Sequence, residues 1–196
     1  MLSTTELLKQ MIRHRPVSAD VEQVNKLVTF VQEYLADEGL FTQIEAHEGR
    51  HILFAATAEA KTPEVLFNAH LDVVPADPPL FEPVEKNGWL YGRGTHDCLG
   101  HCALLANLLV RIREQANAGV IFSTDEEIGG QTTRAMVERG YVGKDLVLVV
   151  DGSGYALVTA QKGALALVLR AHGTACHAAE PWKGENAIDR LIEGYE

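Results

Sequence analysis

Cysteine is scarce in this 196-residue sequence: Cys98, Cys102 and Cys176 are odd in number and show no CxxC spacing. That argues against a disulfide framework and suits free thiols in a reducing compartment. Runs of lysine and arginine are missing too, and a formal net charge of −10 offers no basic surface to a nucleic acid. Nucleic acid is not an expected partner. At the N-terminus there is no long apolar run; residues 1–15 mix Lys, Glu, Gln and Arg among the hydrophobic side chains, which fits neither a signal peptide nor a membrane span. The expected location is cytoplasmic, without a membrane partner. What is present is enough apolar content, 46% of residues, for one core and part of a second.

Apolar residues at helical spacing predict amphipathic helices over 2–14 and 21–38, the second with Asp20 as N-cap and Gly39 as its stop. Two short strands over 41–45 and 51–56 flank a hairpin at 47–50, in which His47 and His51 read as surface residues. A strand over 64–69 follows, then a proline-rich passage over 75–83 that cannot be helical. Further on come a helix over 99–115 with Leu104, Leu105, Leu108 and Ile112 on its apolar side, a buried strand over 120–123, a helix over 132–139 and an apolar strand over 146–150 of the doubly buried parallel type. Strands separated by helices predict an α/β fold with a largely parallel sheet flanked by helices, and such sheets bind ligands beyond the carboxyl ends of their strands.

Those strand ends carry side chains that apolar packing does not explain. The strand over 64–69 runs into His70 and, two residues on, Asp72; in extended chain both face one way, so Asp72 can hold the ring while its other nitrogen meets a metal. Read alone, the pair is equally a hydrogen-bonded loop pair. Gly92-Arg93-Gly94 leads to Asp97 at a helix start, where an N-cap role is the plain alternative. Asp125, Glu126 and Glu127 cluster after the next strand, where a helix dipole also favours acids, and Asp151 follows the last. Carboxylates gathered in one cleft with nothing basic nearby repel strongly unless cations sit among them.

With these residues in order, the chain resembles the co-catalytic zinc peptidases and deacylases that include acetylornithine deacetylase, succinyl-diaminopimelate desuccinylase, aminoacylase and carboxypeptidase G. The likeness rests on His70-x-Asp72, Gly92-Arg93-Gly94 with Asp97, Asp125-Glu126-Glu127-x-Gly129, Asp151, and the segment 173–186 with His177, Pro181 and Gly184. It implies a zinc-peptidase-like catalytic domain over 1–162 and the start of an inserted α+β lid or dimerisation domain over 163–196. It implies two divalent metals, zinc or else cobalt or manganese: Asp97 bridging them, His70 and Asp151 completing one, Glu127 belonging to the other. Asp72 would orient His70 and Glu126 would be the general base. His177 would reach a partner subunit's active site and polarise the substrate carbonyl, and the Asp97–Cys98 peptide would be cis.

The resemblance covers about the first half of a typical member, so the rest of the lid and the late histidine of the second metal position have no counterpart here. That predicts weaker binding at this position. Cys98 reads as a small buried thiol, and His96 and His101 as residues near the site that are not ligands. Two functions follow: a metal-dependent hydrolase of a small peptide or N-acyl amino acid, forming a homodimer through the lid, or a non-catalytic module that keeps the pocket. A fragment of a longer polypeptide is the third reading.

Overall fold

Both N-terminal amphipathic stretches are helices, α1 (Thr4–Arg13) and α2 (Val21–Asp37). Each opens on a side-chain cap that takes up an otherwise unpaired N–H: Ser3 accepts from Glu6 N at 3.1 Å and Asp20 from Gln23 N at 3.2 Å. Strands β1 (Phe41–His47) and β2 (Arg50–Ala56) pair through a two-residue turn, with Glu48 at φ 48° and Gly49 at φ 81°, the left-handed pair that a type I′ hairpin requires. Then come β3 (Val65–His70) and the proline-rich passage, which holds one 3₁₀ turn, Pro78–Phe81.

A second hairpin, β4 (Val84–Lys86) with β5 (Trp89–Tyr91), turns at Asn87-Gly88, again with both residues at positive φ. Alternation does not reveal it, because the strands are three residues each and largely exposed; the Asn-Gly dipeptide is its one signal. The remaining elements of this unit are α3 (Leu99–Ile112), β6 (Ala118–Ser123), α4 (Gln131–Glu138) and β7 (Leu146–Val149).

The computed structural model describes every residue except Ser153, Gly154, Tyr155, Gln161, Ala164, Ala166 and Glu196. It divides into two units, Met1–Ala156 and Leu157–Glu196. In the first, five strands form one mixed sheet in the order β1-β2-β6-β3-β7, whose core β6-β3-β7 is parallel while β2 runs antiparallel to both its neighbours. Alternate residues of each strand feed opposite layers. Leu53, Ala55, Val120, Phe122 and Ala69 pack toward the layer of α1, α2 and α3, whereas Ile52, Phe54, Leu66 and Ile121 meet Met136 of α4 and Tyr141 on the other face.

Two expectations change. In α3 the buried side is Cys102, Ala103, Leu105, Ala106, Leu109 and Val110, and Leu104 faces solvent, because the helix packs on α1 as well as on the sheet and its buried arc is turned accordingly. β7 is parallel as expected but not doubly buried. It is the edge strand, pairing with β3 alone among the described residues, and Val149 is 68% exposed.

In the second unit Thr174 bridges Glu185, a 3₁₀ turn spans Pro181–Lys183, and α5 (Ala187–Tyr195) carries exposed Ile188, Leu191, Ile192 and Tyr195. The alternation over 164–171 predicts a strand; Ala164 and Ala166 lie outside the described residues, and the others of that stretch are assigned to none. No helix among the described residues is long and apolar enough to cross a membrane.

Candidate metal centre

The parallel core brings its carboxyl ends to one edge, with His70, the last residue of β3, in register with Ser123, the last of β6. The β3 end is tied to both neighbours: Leu71 N donates to the Ser123 carbonyl at 2.8 Å and Val150 N to the Asn68 carbonyl at 2.9 Å. Asp97 arrives from the turn that opens α3. Gly94 makes the turn possible, since it sits at φ +82° with Leu99 and Val73 so close that a Cβ would collide with them. The Asp97–Cys98 peptide is cis. Cys98 occupies the N-cap position of α3, so Asp97 is not a cap; its carboxylate points to His70.

His70 is 1% exposed, and its two nitrogens have different partners. Nδ1 lies 2.9 Å from the Asp72 carbonyl, which can only accept, so Nδ1 must carry a proton. Asp72 therefore orients the ring through its main chain, with its carboxylate at 3.4 Å as a second contact. Nε2 faces acids: Asp97 Oδ1 at 2.9 Å, Glu126 Oε2 at 3.9 Å and Asp151 Oδ2 at 3.9 Å. In the neutral ring a nitrogen lone pair thus confronts a carboxylate at hydrogen-bond distance, a contact that only a proton or a metal cation makes favourable.

Electrostatics point the same way. Burial pulls the His70 pKa down, but the Asp72 carboxylate bonded to the ring, with Cys98 nearby, outweighs it and raises it to about 10. Partial burial holds Glu126 and Glu127 above the usual carboxylate range; neighbouring acids, Asp151 and Asp72 for the first and Asp97 for the second, add to this against the pull of His70. The site is short of positive charge.

Among the described residues, two sets of donor atoms are close enough for one ion each, His70 with Asp97 and Glu127, and His70 with Cys98 and Asp151, every atom within 4.8 Å of the others in its set. Imidazole and carboxylate donors suit zinc and similar divalent ions, so the residues fit a metal centre. Cys98 reads from the sequence as a small buried thiol, with a soft-metal contact as the alternative; the thiol is buried, donates to the Val150 carbonyl at 3.3 Å and is a member of the second donor set.

The three acids after β6 separate by role. Asp125 turns inward, 5% exposed, and accepts from Thr132 N at 3.0 Å and from the Thr132 hydroxyl, tying the turn to α4. Glu126 and Glu127 turn toward the site, and their amides donate to Asp72 at 3.1 and 3.3 Å. Ser18, which sequence reasoning passes over, donates its hydroxyl to Asp72 at 2.7 Å. These bonds, with His70, hold Asp72 below the usual carboxylate range although its burial acts against them. His177 belongs to the second unit, where its Nδ1 accepts from the Ala179 N–H in an exposed turn.

Known proteins share parts of this sequence and of this fold. Residues 66–185 match the model of peptidase family M20/M25/M40. The chain is 30% identical over 154 residues to a probable succinyl-diaminopimelate desuccinylase of Staphylococcus aureus (strain MRSA252), covering 72% of this chain and 38% of that protein. It is also 30% identical over 145 residues to a probable carboxypeptidase of Aspergillus fumigatus, covering 67% and 33%. Its fold is similar to that of an M20 family metallo-carboxypeptidase from Sulfolobus solfataricus, with a TM-score of 0.67 and 20% identity over 79% of this chain and 38% of that one. A tripeptidase from Staphylococcus aureus gives a TM-score of 0.64 at 15% identity, covering 98% and 55%. The chain thus spans about two fifths or less of the length of the curated relatives it matches.

Proposed function

Because the chain belongs to peptidase family M20/M25/M40, we propose that its strand-end residues hold two divalent metal ions and serve the hydrolysis of an amide bond in a small peptide or N-acyl amino acid. The observation that carries this reading is the His70 ring, protonated at Nδ1 by its bond to a carbonyl and aimed at carboxylates through Nε2. His70, Asp97, Glu127 and Asp151 would hold the ions, with Asp97 as the shared ligand, Asp151 serving one ion and Glu127 the other; zinc would suit these donors, with cobalt or manganese as replacements. When bound, the metals supply Lewis acidity, acidifying a water and polarising the scissile carbonyl.

The chain's own residues do the rest. Asp72 fixes the His70 ring, so the imidazole needs no reorganisation to present Nε2. Glu126, held above the usual carboxylate range, is a better proton acceptor than an ordinary glutamate; it takes the proton of the attacking water and passes it to the leaving nitrogen. His177 polarises the substrate carbonyl from a second copy of the chain, which makes a homodimer part of the proposal. The relatives named for desuccinylation and carboxypeptidase activity support an acylated amino acid or a short peptide as the substrate class.

Elemental analysis and hydrolysis of a panel of N-acetyl amino acids and dipeptides test the reading together. The parent is expected to retain zinc and His70→Ala to lose it, whereas Glu126→Gln keeps the metal and loses about 10²–10⁴-fold in rate. Equal zinc in the parent and His70→Ala sinks the metal assignment. Undiminished turnover by Glu126→Gln sinks the general base.

A further inference from the structure

Asp72 is held by donors from two loops distant in sequence, the Ser18 hydroxyl before α2 and the amides of Glu126 and Glu127 after β6. What ties those loops to each other is Arg50, the first residue of β2. Its Nη1 donates to the Thr124 carbonyl at 2.9 Å and its Nη2 to the Ser18 carbonyl at 2.7 Å. Ser18 is itself a donor to Asp72, and Thr124 stands two residues before the first of the two amides. Both anchor points are buried, Ser18 at 3% and Thr124 at 0% exposure.

The guanidinium is half-buried and, among the described residues, forms no ion pair; its protein hydrogen bonds go to two main-chain carbonyls. An arginine that merely held the surface together would gain more from a carboxylate. A planar fork with one nitrogen on each carbonyl sets the separation of the two loops, which a single ammonium cannot do. That separation decides whether three donors reach the two oxygens of one carboxylate.

We propose that Arg50 and Ser18 are positioning residues of the metal centre: Arg50 sets the two loops, the loops clamp Asp72, and Asp72 aims His70. The inference rests on the metal reading above. Residues that orient a ligating histidine typically govern metal affinity by about 10–100-fold when removed; Ser18 acts on such a residue directly, and Arg50 acts through the two loops that hold it.

The test is a double-mutant cycle on zinc affinity, measured on the metal-free chain by competition with a chromophoric chelator. Arg50→Met is expected to lose about 10–100-fold and Arg50→Lys nearly as much. Because Arg50 acts through Asp72, the double variant Arg50→Met/Asp72→Asn should bind no more weakly than Asp72→Asn alone, whereas a general loosening of the fold would add the two losses. Affinity of Arg50→Met within about threefold of the parent, or additive losses, overturns the proposal and leaves the metal reading intact. Should Arg50→Met not fold, Ser18→Ala carries the same comparison: affinity within about threefold of the parent, or additivity with Asp72→Asn, refutes it. A parent chain that binds no zinc overturns the metal reading and this inference together.

Discussion

Replacing Asp72 by asparagine keeps the size of the side chain and removes its charge and one acceptor. In the parent, Oδ1 accepts from Glu126 N at 3.1 Å, and Oδ2 accepts from the Ser18 hydroxyl at 2.7 Å and Glu127 N at 3.3 Å. An asparagine oriented to satisfy Glu126 turns its NH₂ toward the other two donors. Ser18 has an outlet, since its hydroxyl also lies 3.2 Å from the Val73 carbonyl, but the Glu127 N–H loses its acceptor. An unpaired N–H costs about 1–3 kcal/mol, and a bond to a charged acceptor contributes about 1.5–3 kcal/mol, so the metal-free chain should lose about 3 kcal/mol near pH 6.

Asp72 has a lowered folded pKa, so its contribution is present above the unfolded carboxylate value and fades as pH falls through the folded one. His70, raised to about 10, contributes fully below its unfolded value near 6.5 and loses that contribution as pH rises toward 10. The metal-free parent should therefore be most stable between about pH 4 and 6.5, and Asp72→Asn should flatten both limbs. Urea unfolding across pH measures the stabilities, and an NMR titration should show the His70 pKa falling by at least one unit, about 1.4 kcal/mol, in the variant. A stability loss below about 0.5 kcal/mol, or an unmoved His70 titration, would refute the clamp.

Two further outcomes follow from the separation of the three acids. Glu126 and Glu127 are held above the usual carboxylate range, so ionised they oppose folding at neutral pH; Glu126→Gln and Glu127→Gln should each raise the urea midpoint of the metal-free chain, and a lowered midpoint contradicts the repulsion. Asp125→Ala should act oppositely, costing about 2 kcal/mol through the lost Thr132 bonds while zinc content stays at the parent level; loss of zinc at unchanged stability would mean Asp125 belongs to the site.

Elements with a local signal are legible along the chain alone. The 3.6-residue spacing in 21–38, the Asp20 cap and Gly39 stop, and the hairpin at 47–50 are decided by backbone dihedrals and by which face is apolar, quantities that neighbours along the chain supply. The sequence also places acids at successive strand ends, a pattern whose mutual repulsion cations would relieve. Which way each acid faces depends on contacts distant in sequence. Asp125 and Glu126 are adjacent and chemically alike, yet one faces Thr132 and the other faces His70, because the turn after β6 is pinned from outside by Asp72, 54 residues away from Glu126. The exposure of β7 was equally invisible, since an apolar run reports what a strand can bury and not whether anything lies against it. Ser18 and Arg50 left no signal at all: their bonds reach 54 residues to Asp72 and 74 residues to Thr124, and such contacts exist only after the chain has folded back on itself.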